Sequence, residues 1–333
     1  VGDMTIRKMG VLGGGAWGTA LAATSARAGL DTLIWAFEPE VVDAINNTHE
    51  NKMFLSGVPL DPALKATGDF AALADRDAVL MVCPAQHLRP LSEKLQPHLR
   101  PGVPVIICAK GIEVKTGMFL SDVLAETMPG RPVAVLSGPT FAAELARGLP
   151  SALTLATKDE AIGKALVAAM GLPIFRPYLS DDVIGAQIGG AVKNVMAIAT
   201  GIVAGLKMGE NARAALLTRG LAEMARFGTH FGAETETLMG LSGLGDLVLT
   251  CVSQSSRNMS LGYEIGEGRT MADIMAERRT VAEGAHTVEI LHVIAKREGI
   301  DMPITEAVYK ILKEGAPVAE VTKALLARPF TRE

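Results

Sequence analysis

The feature that most constrains this fold is an alternation that stops partway along the chain. Up to about residue 180, short apolar runs alternate with helix-like patterns. The runs are Met9–Leu12, Thr32–Trp35, Ala78–Cys83, Val103–Cys108, Val133–Leu136 and Leu153–Ala156. Each is rich in Val, Ile or Leu and bounded by Gly, Pro or a charge. Continuous apolar runs suit strands covered by helices on both faces. Gly18–Ala28 and Glu40–Asn46 supply such helices. Strand–helix alternation predicts a parallel, doubly wound α/β sheet. After Ser180-Asp181-Asp182 the strand signals fade and helical ones take over: Val183–Leu206, with glycines placed where a kink could form, then Ala212–Phe227, Asp273–Arg278 and Val288–Arg297. The expected organisation is a Rossmann-type nucleotide-binding domain over residues 1–182 and an all-α domain over 183–333. No repeat or low-complexity linker separates them.

Composition supports two packed domains. The chain has 333 residues, 49% hydrophobic and 20% charged, ample for a core. A net charge of −4 gives no basic footprint and argues against nucleic acid as a partner. Cys83, Cys108 and Cys251 show no metal-ligand spacing, and their odd number fits a reducing, cytoplasmic compartment without disulfides. No metal site is expected. The opening VGDMTIRKMGVLGGG lacks a long apolar core before a cleavage site, so no signal peptide is read.

The first chemical motif is GVLGGGAWGTALA. Gly13, Gly15 and Gly18 satisfy G-x-G-x-x-G directly after a strand and at the opening of a helix. The first glycine permits a tight turn, the second lets the backbone approach a pyrophosphate, and the third lets helix and strand pack closely. The helix N-terminus offers N–H groups to the anion. Glu38 lies 20 residues after Gly18, near where an acid meets the ribose of NAD. No Arg or Lys lies between Gly29 and Lys52 to hold a 2′-phosphate. The cofactor is NAD or NADP, leaning to NAD.

The second is one lysine in an apolar helix. In QIGGAVKNVMAIATGIVAG, Lys193 is the sole charge between Asp182 and Lys207. A spanning helix needs about 20 apolar residues. The charge-free run after Lys193 is 13 residues long and opens on Asn194, so a buried helix is expected and no membrane span. An ammonium there either reaches water along a packed stem or is held inside with a lowered pKa, fit for proton transfer. The residues alone leave both open. Lys110 follows a strand, at the edge where such sheets bind ligands. SGPTFAAE also follows a strand. GLGDLVLTCVSQSSRN sets Asp246 upstream of Ser256, Arg257 and Asn258, and Arg and Asn are partners for a phosphate or a polar small molecule. A solvated Lys110 and a surface ion pair between Asp246 and Arg257 are the plain alternatives that the residues alone leave open.

GGGAWGTA, AKGIE, SGPTFAAE, GGAVKNV, GLGDLVLTC, SSRN and AEG occur in this order and at these spacings. The chain thereby resembles the NAD(P)-dependent glycerol-3-phosphate dehydrogenases of the soluble bacterial type, from Met9 to about Pro329. The resemblance implies interconversion of sn-glycerol 3-phosphate and dihydroxyacetone phosphate by hydride transfer, at a site between the two domains. It also implies a cytosolic homodimer whose product feeds phospholipid synthesis. Lys193 corresponds to the family's proton donor and acceptor, Lys110 to its second lysine, touching substrate and cofactor, and Asp246 to the acid that orients Lys193 and binds substrate. Ser256, Arg257 and Asn258 match substrate-phosphate and cofactor contacts. Gly138 and Thr140 match substrate contacts and Ala142 a cofactor contact, with Asn194 and Thr250 near the site. Ala16 and Trp17 fall on the cofactor loop, and Val281 and Glu283 match a late cofactor contact. Many bacterial members carry Arg or His, suited to a 2′-phosphate, where this chain has Phe37, whose ring could instead stack on adenine. Two alternatives stand beside this: another two-domain hydroxy-acid dehydrogenase, with no need of Arg257 for phosphate, and a non-catalytic dinucleotide sensor.

Overall fold

The computed structural model describes residues 5–277 and 282–329. It divides into two compact units. Of the described residues, 5–110 and 118–187 form the first, and 111–117, 188–277 and 282–329 the second.

Among the described residues, the first unit is built on eight strands: β1 (Lys8–Leu12), β2 (Asp31–Trp35), β3 (Lys65–Thr67), β4 (Ala78–Met81), β5 (Val105–Ile107), β6 (Val133–Ser137), β7 (Ser151–Ala156) and β8 (Phe175–Ser180). Their order is β3-β2-β1-β4-β5-β6-β7-β8. The order reverses between β1 and β4, the switch point outside which such sheets bind ligands. The helices are α1 (Ala16–Arg27), α2 (Pro39–Thr48), α3 (Leu88–Leu95), α4 (Leu120–Thr127), α5 (Ala142–Ala146) and α6 (Glu160–Met170). Successive strand residues point to opposite faces, and here both faces are dry. Met9, Val11, Leu80, Ile106 and Leu136 join one buried cluster. Leu12, Val79, Met81, Val105, Ile107 and Val135 join the other. That explains why the sequence shows runs of apolar residues in place of an alternation.

The sheet departs from the all-parallel expectation at one pairing, because β7 runs antiparallel to β6. A parallel return usually runs through a helix long enough to cover the sheet. The linker here holds only the five-residue α5, so the chain turns back. Two strands escaped the sequence reading. β3 has three residues, and β8 reads FRPYLS. β8 is an edge strand, where proline and charge are tolerated because one side of the backbone needs no partner.

Apart from residues 111–117, the described part of the second unit is helical and begins within α7 (Val183–Gly205), whose first turn belongs to the first unit. Asp182 caps it, its carboxylate accepting the Gly185 N–H at 2.7 Å. α7 is long and apolar enough to cross a membrane, but 89% of its most apolar window is buried in the protein. It is a core helix, and it runs through its glycines without a break. There follow α8 (Glu210–His230), α9 (Thr235–Leu238), a π-turn (Leu241–Gly245), α10 (Asp246–Val252), α11 (Arg257–Gly266), α12 (Met271–Glu277), α13 (Gly284–Glu298), α14 (Pro303–Lys313) and α15 (Val318–Leu326).

Two devices position these helices. α11 lies on α7 backbone to backbone. A Cβ on Gly262 would stand 2.0 Å from the Ile198 carbonyl oxygen, and one on Gly201 would stand 2.1 Å from that of Met259. Separately, the buried Glu223 of α8 caps α14. Its carboxylate accepts the N–H groups of Ile304 at 2.5 Å and Thr305 at 3.1 Å, and the Thr305 hydroxyl at 3.1 Å. Burial outweighs these three donors and raises the Glu223 carboxyl to about 7.

Candidate active site

In the first unit, the glycine loop is shaped by close backbone contacts. Gly13 has φ +132°, and a Cβ there would lie 2.6 Å from the Val82 carbonyl oxygen beyond β4. A Cβ on Gly18 would lie 1.9 Å from the Gly13 oxygen, so α1 begins directly against the loop. Around Gly15, by contrast, a Cβ would meet nothing within 4 Å. Ala16 and Trp17 open α1, whose first turn carries no acid. The indole Nε1 of Trp17 is buried with no protein partner. A tight turn, an open middle glycine, an uncapped helix start and an orphaned donor fit the pyrophosphate of a dinucleotide. At the end of β2, Phe37 is 80% exposed and Glu38 stands at the N-cap of α2.

The other first-unit candidates gather beyond the ends of β5 and β6. Lys110 donates from Nζ to the Gly138 carbonyl oxygen at 3.2 Å. A Cβ on Gly138 would lie 2.8 Å from Leu153 Cα, so glycine is needed for β6 to turn there. Thr140 follows two residues later and Ala142 opens α5. The hydroxyls of Thr140 and of Ser137 are buried without a protein partner. Ser137 was not singled out from the sequence, where a serine ending a strand has no distinguishing mark.

In the second unit, Lys193 is buried. Its side chain is 9% exposed, and Nζ lies 2.6 Å from Asp246 Oδ1, itself on a side chain 1% exposed. Nζ also donates to Thr250 Oγ1 at 2.8 Å, and that hydroxyl donates to the Asp246 carbonyl oxygen at 2.6 Å. Burial disfavours the ammonium and the carboxylate offsets it. The pair exists because the π-turn presses on α7. A Cβ on Gly189 would lie 2.2 Å from the Ser242 oxygen, and one on Gly243 would lie 1.9 Å from the Leu238 oxygen. Gly189 is four residues before Lys193, on the same helix face. Asp246, just beyond the turn, is thereby delivered to the lysine. π-turns of this kind occur often at functional sites.

The start of α11 is tied to the same face of α7. Ser256 caps α11 by accepting the Met259 N–H at 3.2 Å. Arg257 is the first helical residue and is exposed. Asn258 Nδ2 donates to Asn194 Oδ1 at 3.0 Å, while its Oδ1 accepts the Gly284 N–H at 2.9 Å. Asn258 thus joins α7, α11 and α13, a bracing role the sequence did not reveal. Glu283 stands at the N-cap of α13. Val281, the other late cofactor candidate, lies outside the described residues. Cys251 packs close by, but burial pushes its thiol up to about 11, so it remains a neutral apolar filler. No cluster of three or more His, Cys, Asp or Glu suited to a metal occurs among the described residues.

Both parts of the chain match known proteins. Residues 8–163 match the N-terminal part of the NAD-dependent glycerol-3-phosphate dehydrogenase family, and residues 182–323 match its C-terminal part. The glycerol-3-phosphate dehydrogenase [NAD(P)+] of Parvibaculum lavamentivorans is 54% identical over 330 residues, covering 99% of each chain. That of Rhodospirillum rubrum is 56% identical over 333 residues, covering 99% of this chain and 95% of the relative. The crystal structure of the Coxiella burnetii glycerol-3-phosphate dehydrogenase superposes with a TM-score of 0.93 at 38% identity, covering 97% of this chain and 99% of that one. With both parts matched in order and full-length relatives above half identity, this chain belongs to the NAD-dependent glycerol-3-phosphate dehydrogenase family.

Proposed function

We propose that this chain interconverts sn-glycerol 3-phosphate and dihydroxyacetone phosphate through the residues described above. The observation that carries the reading is the buried Lys193–Asp246–Thr250 constellation, a positioned proton donor and acceptor in a chain with a dinucleotide-type glycine loop. The reduced nicotinamide that this loop would hold would supply the hydride to the carbonyl carbon. Lys193 gives a proton to the oxygen as its charge develops, and in the oxidative direction its neutral amine takes the proton back. Its positive form also stabilises the oxyanion. Asp246 and Thr250 hold the amine in place and offset its burial. Arg257, Ser256 and Asn258 take the substrate phosphate, and Lys110, Gly138 and Thr140 contact the rest of the substrate. Gly13, Gly15, Ala16, Trp17 and Gly18 hold the pyrophosphate, with Ala142, Lys110, Arg257, Val281 and Glu283 completing the cofactor contacts.

The finer reading is a preference for NAD. Phe37 stands exposed where a cation would meet a 2′-phosphate, and an aromatic ring there stacks on adenine without regard to that phosphate. A cytosolic homodimer supplying glycerol 3-phosphate for phospholipids completes the proposal. The test is oxidation of NADH and NADPH in parallel, with and without dihydroxyacetone phosphate. Substrate-dependent consumption, with kcat/KM for NADH at least equal to that for NADPH, is expected. No consumption by folded protein would refute the reaction, and a strong NADPH preference would refute the role given to Phe37.

A further inference from the structure

We propose that Asn51 is the positioning residue of the glycine loop: its amide turns the Gly14–Gly15 peptide so that the loop presents a donor to the cofactor pyrophosphate. The inference rests on the loop being the cofactor seat, as read above. Asn51 lies in the segment between α2 and β3 and is fully buried. Its Nδ2 donates to the Gly14 carbonyl oxygen at 2.7 Å and to Thr19 Oγ1 at 2.8 Å. Its Oδ1 accepts the Phe54 N–H at 3.2 Å. The amide is therefore fixed from both ends, and the opposite orientation would set oxygen against oxygen.

A trans peptide is planar, so its C=O and N–H point in opposite directions. Anchoring the Gly14 oxygen toward the core aims the Gly15 N–H the other way, and a Cβ built on Gly15 would meet nothing within 4 Å. Gly14 itself is hemmed in: a Cβ there would lie 2.6 Å from that of Ala36. With glycine on both sides, this peptide has little intrinsic preference against flipping. A flipped peptide would aim a carbonyl at the phosphate. Thr19 cannot replace Asn51, because its hydroxyl is 3.5 Å from the Gly14 oxygen, at the limit of a hydrogen bond.

The test is Asn51→Ala, which removes the donor without adding charge, read by cofactor Kd from tryptophan fluorescence and by steady-state kinetics. A hydrogen bond serving a charged group corresponds to roughly 10–100-fold in affinity. Cofactor Kd and KM are expected to rise by that factor, with kcat and the KM for dihydroxyacetone phosphate changed less than about threefold. Asn46 provides the structural control. Its amide clamps both backbone groups of Ala66 at 2.9 Å, away from the loop. Asn46→Ala is expected to lower Tm and leave cofactor KM unchanged. Should Asn51→Ala not fold, Thr19→Val removes the second acceptor of the same amide and is expected to raise cofactor KM roughly 2–5-fold. Cofactor KM within twofold of wild type, in folded Asn51→Ala or failing that in Thr19→Val, overturns the proposal. Gly15→Val separates the two levels. If it abolishes cofactor binding while Asn51→Ala does not weaken it, the loop is the seat and only the role of Asn51 fails. If Gly15→Val binds normally, the seat itself is wrong.

Discussion

Replacing Gly262 by alanine tests whether the α7–α11 contact sets the second-unit site. In an open helical position this change would stabilise the protein by about 1 kcal/mol through helix propensity. Here the added Cβ would lie 2.0 Å from the Ile198 oxygen, 2.8 Å from its carbon and 3.0 Å from its Cα. All three are backbone atoms of α7, so no side chain can swing aside. Real Cβ atoms essentially never approach closer than 3.0 Å, so the helices must separate by about 1 Å at least. Overpacking of this kind costs roughly 1–3 kcal/mol. The Asn258–Asn194 hydrogen bond, one turn away, would be strained or lost at a further cost of about 1 kcal/mol. The net expectation is a destabilisation of about 2 kcal/mol, or roughly 4–8 °C in Tm for a unit of this size. Because α11 begins at Arg257, the same shift should raise the KM for dihydroxyacetone phosphate about tenfold. Thermal denaturation and steady-state kinetics read both. Gly220→Ala is the matched control: its Cβ would meet the flexible Met196 side chain, with Sδ at 2.9 Å, and should be close to neutral. A Gly262→Ala protein as stable as wild type, with unchanged KM, would refute the argument.

Three other outcomes are expected. Lys193→Met should lower kcat by about 10³-fold or more, through loss of proton transfer and oxyanion stabilisation, while cofactor Kd stays within about threefold; near-wild-type kcat would remove its assigned role. Arg257→Ala should raise the KM for dihydroxyacetone phosphate by roughly 10–100-fold and leave unphosphorylated dihydroxyacetone little affected, since a charge-assisted bond to phosphate is what is lost; equal effects on both would contradict a phosphate contact. Glu223 predicts a pH dependence of stability. Its carboxyl rises from 4.5 when unfolded to about 7 when folded, so the folded state binds the extra proton between those values. Its favourable contribution is greatest below pH 4.5 and declines up to about pH 7, by roughly 3 kcal/mol in all. Denaturant titrations of Glu223→Gln across pH 5–8 should lack that slope, and an unchanged slope would assign it to other groups.

The fold class was legible because both faces of the sheet are buried. Strand residues on either face had to be apolar, and the runs around Met9–Leu12, Ala78–Met81 and Val105–Ile107 stand out for that reason. β8 did not stand out because an edge strand escapes that requirement. The antiparallel turn of β7 was equally hidden, since it depends on α5 being too short to cross the sheet.

The candidate site divides in the same way. The sequence by itself determined the glycine loop, because the positive φ of Gly13 and the approach of Gly18 to the Gly13 oxygen are local demands of the chain on its own backbone, and it marked Lys193 as anomalous by the apolar helix around it. The tertiary structure alone decided what Lys193 meets. Asp246 lies 53 residues further on, delivered by a π-turn pressed against Gly189. It also decided that Asn258 joins three helices and that Asn51 holds the Gly14 carbonyl from 37 residues away. The physical reason is common to these cases. Backbone geometry is set by neighbours in the chain, whereas the partner of a buried polar group is fixed by whatever close packing brings beside it.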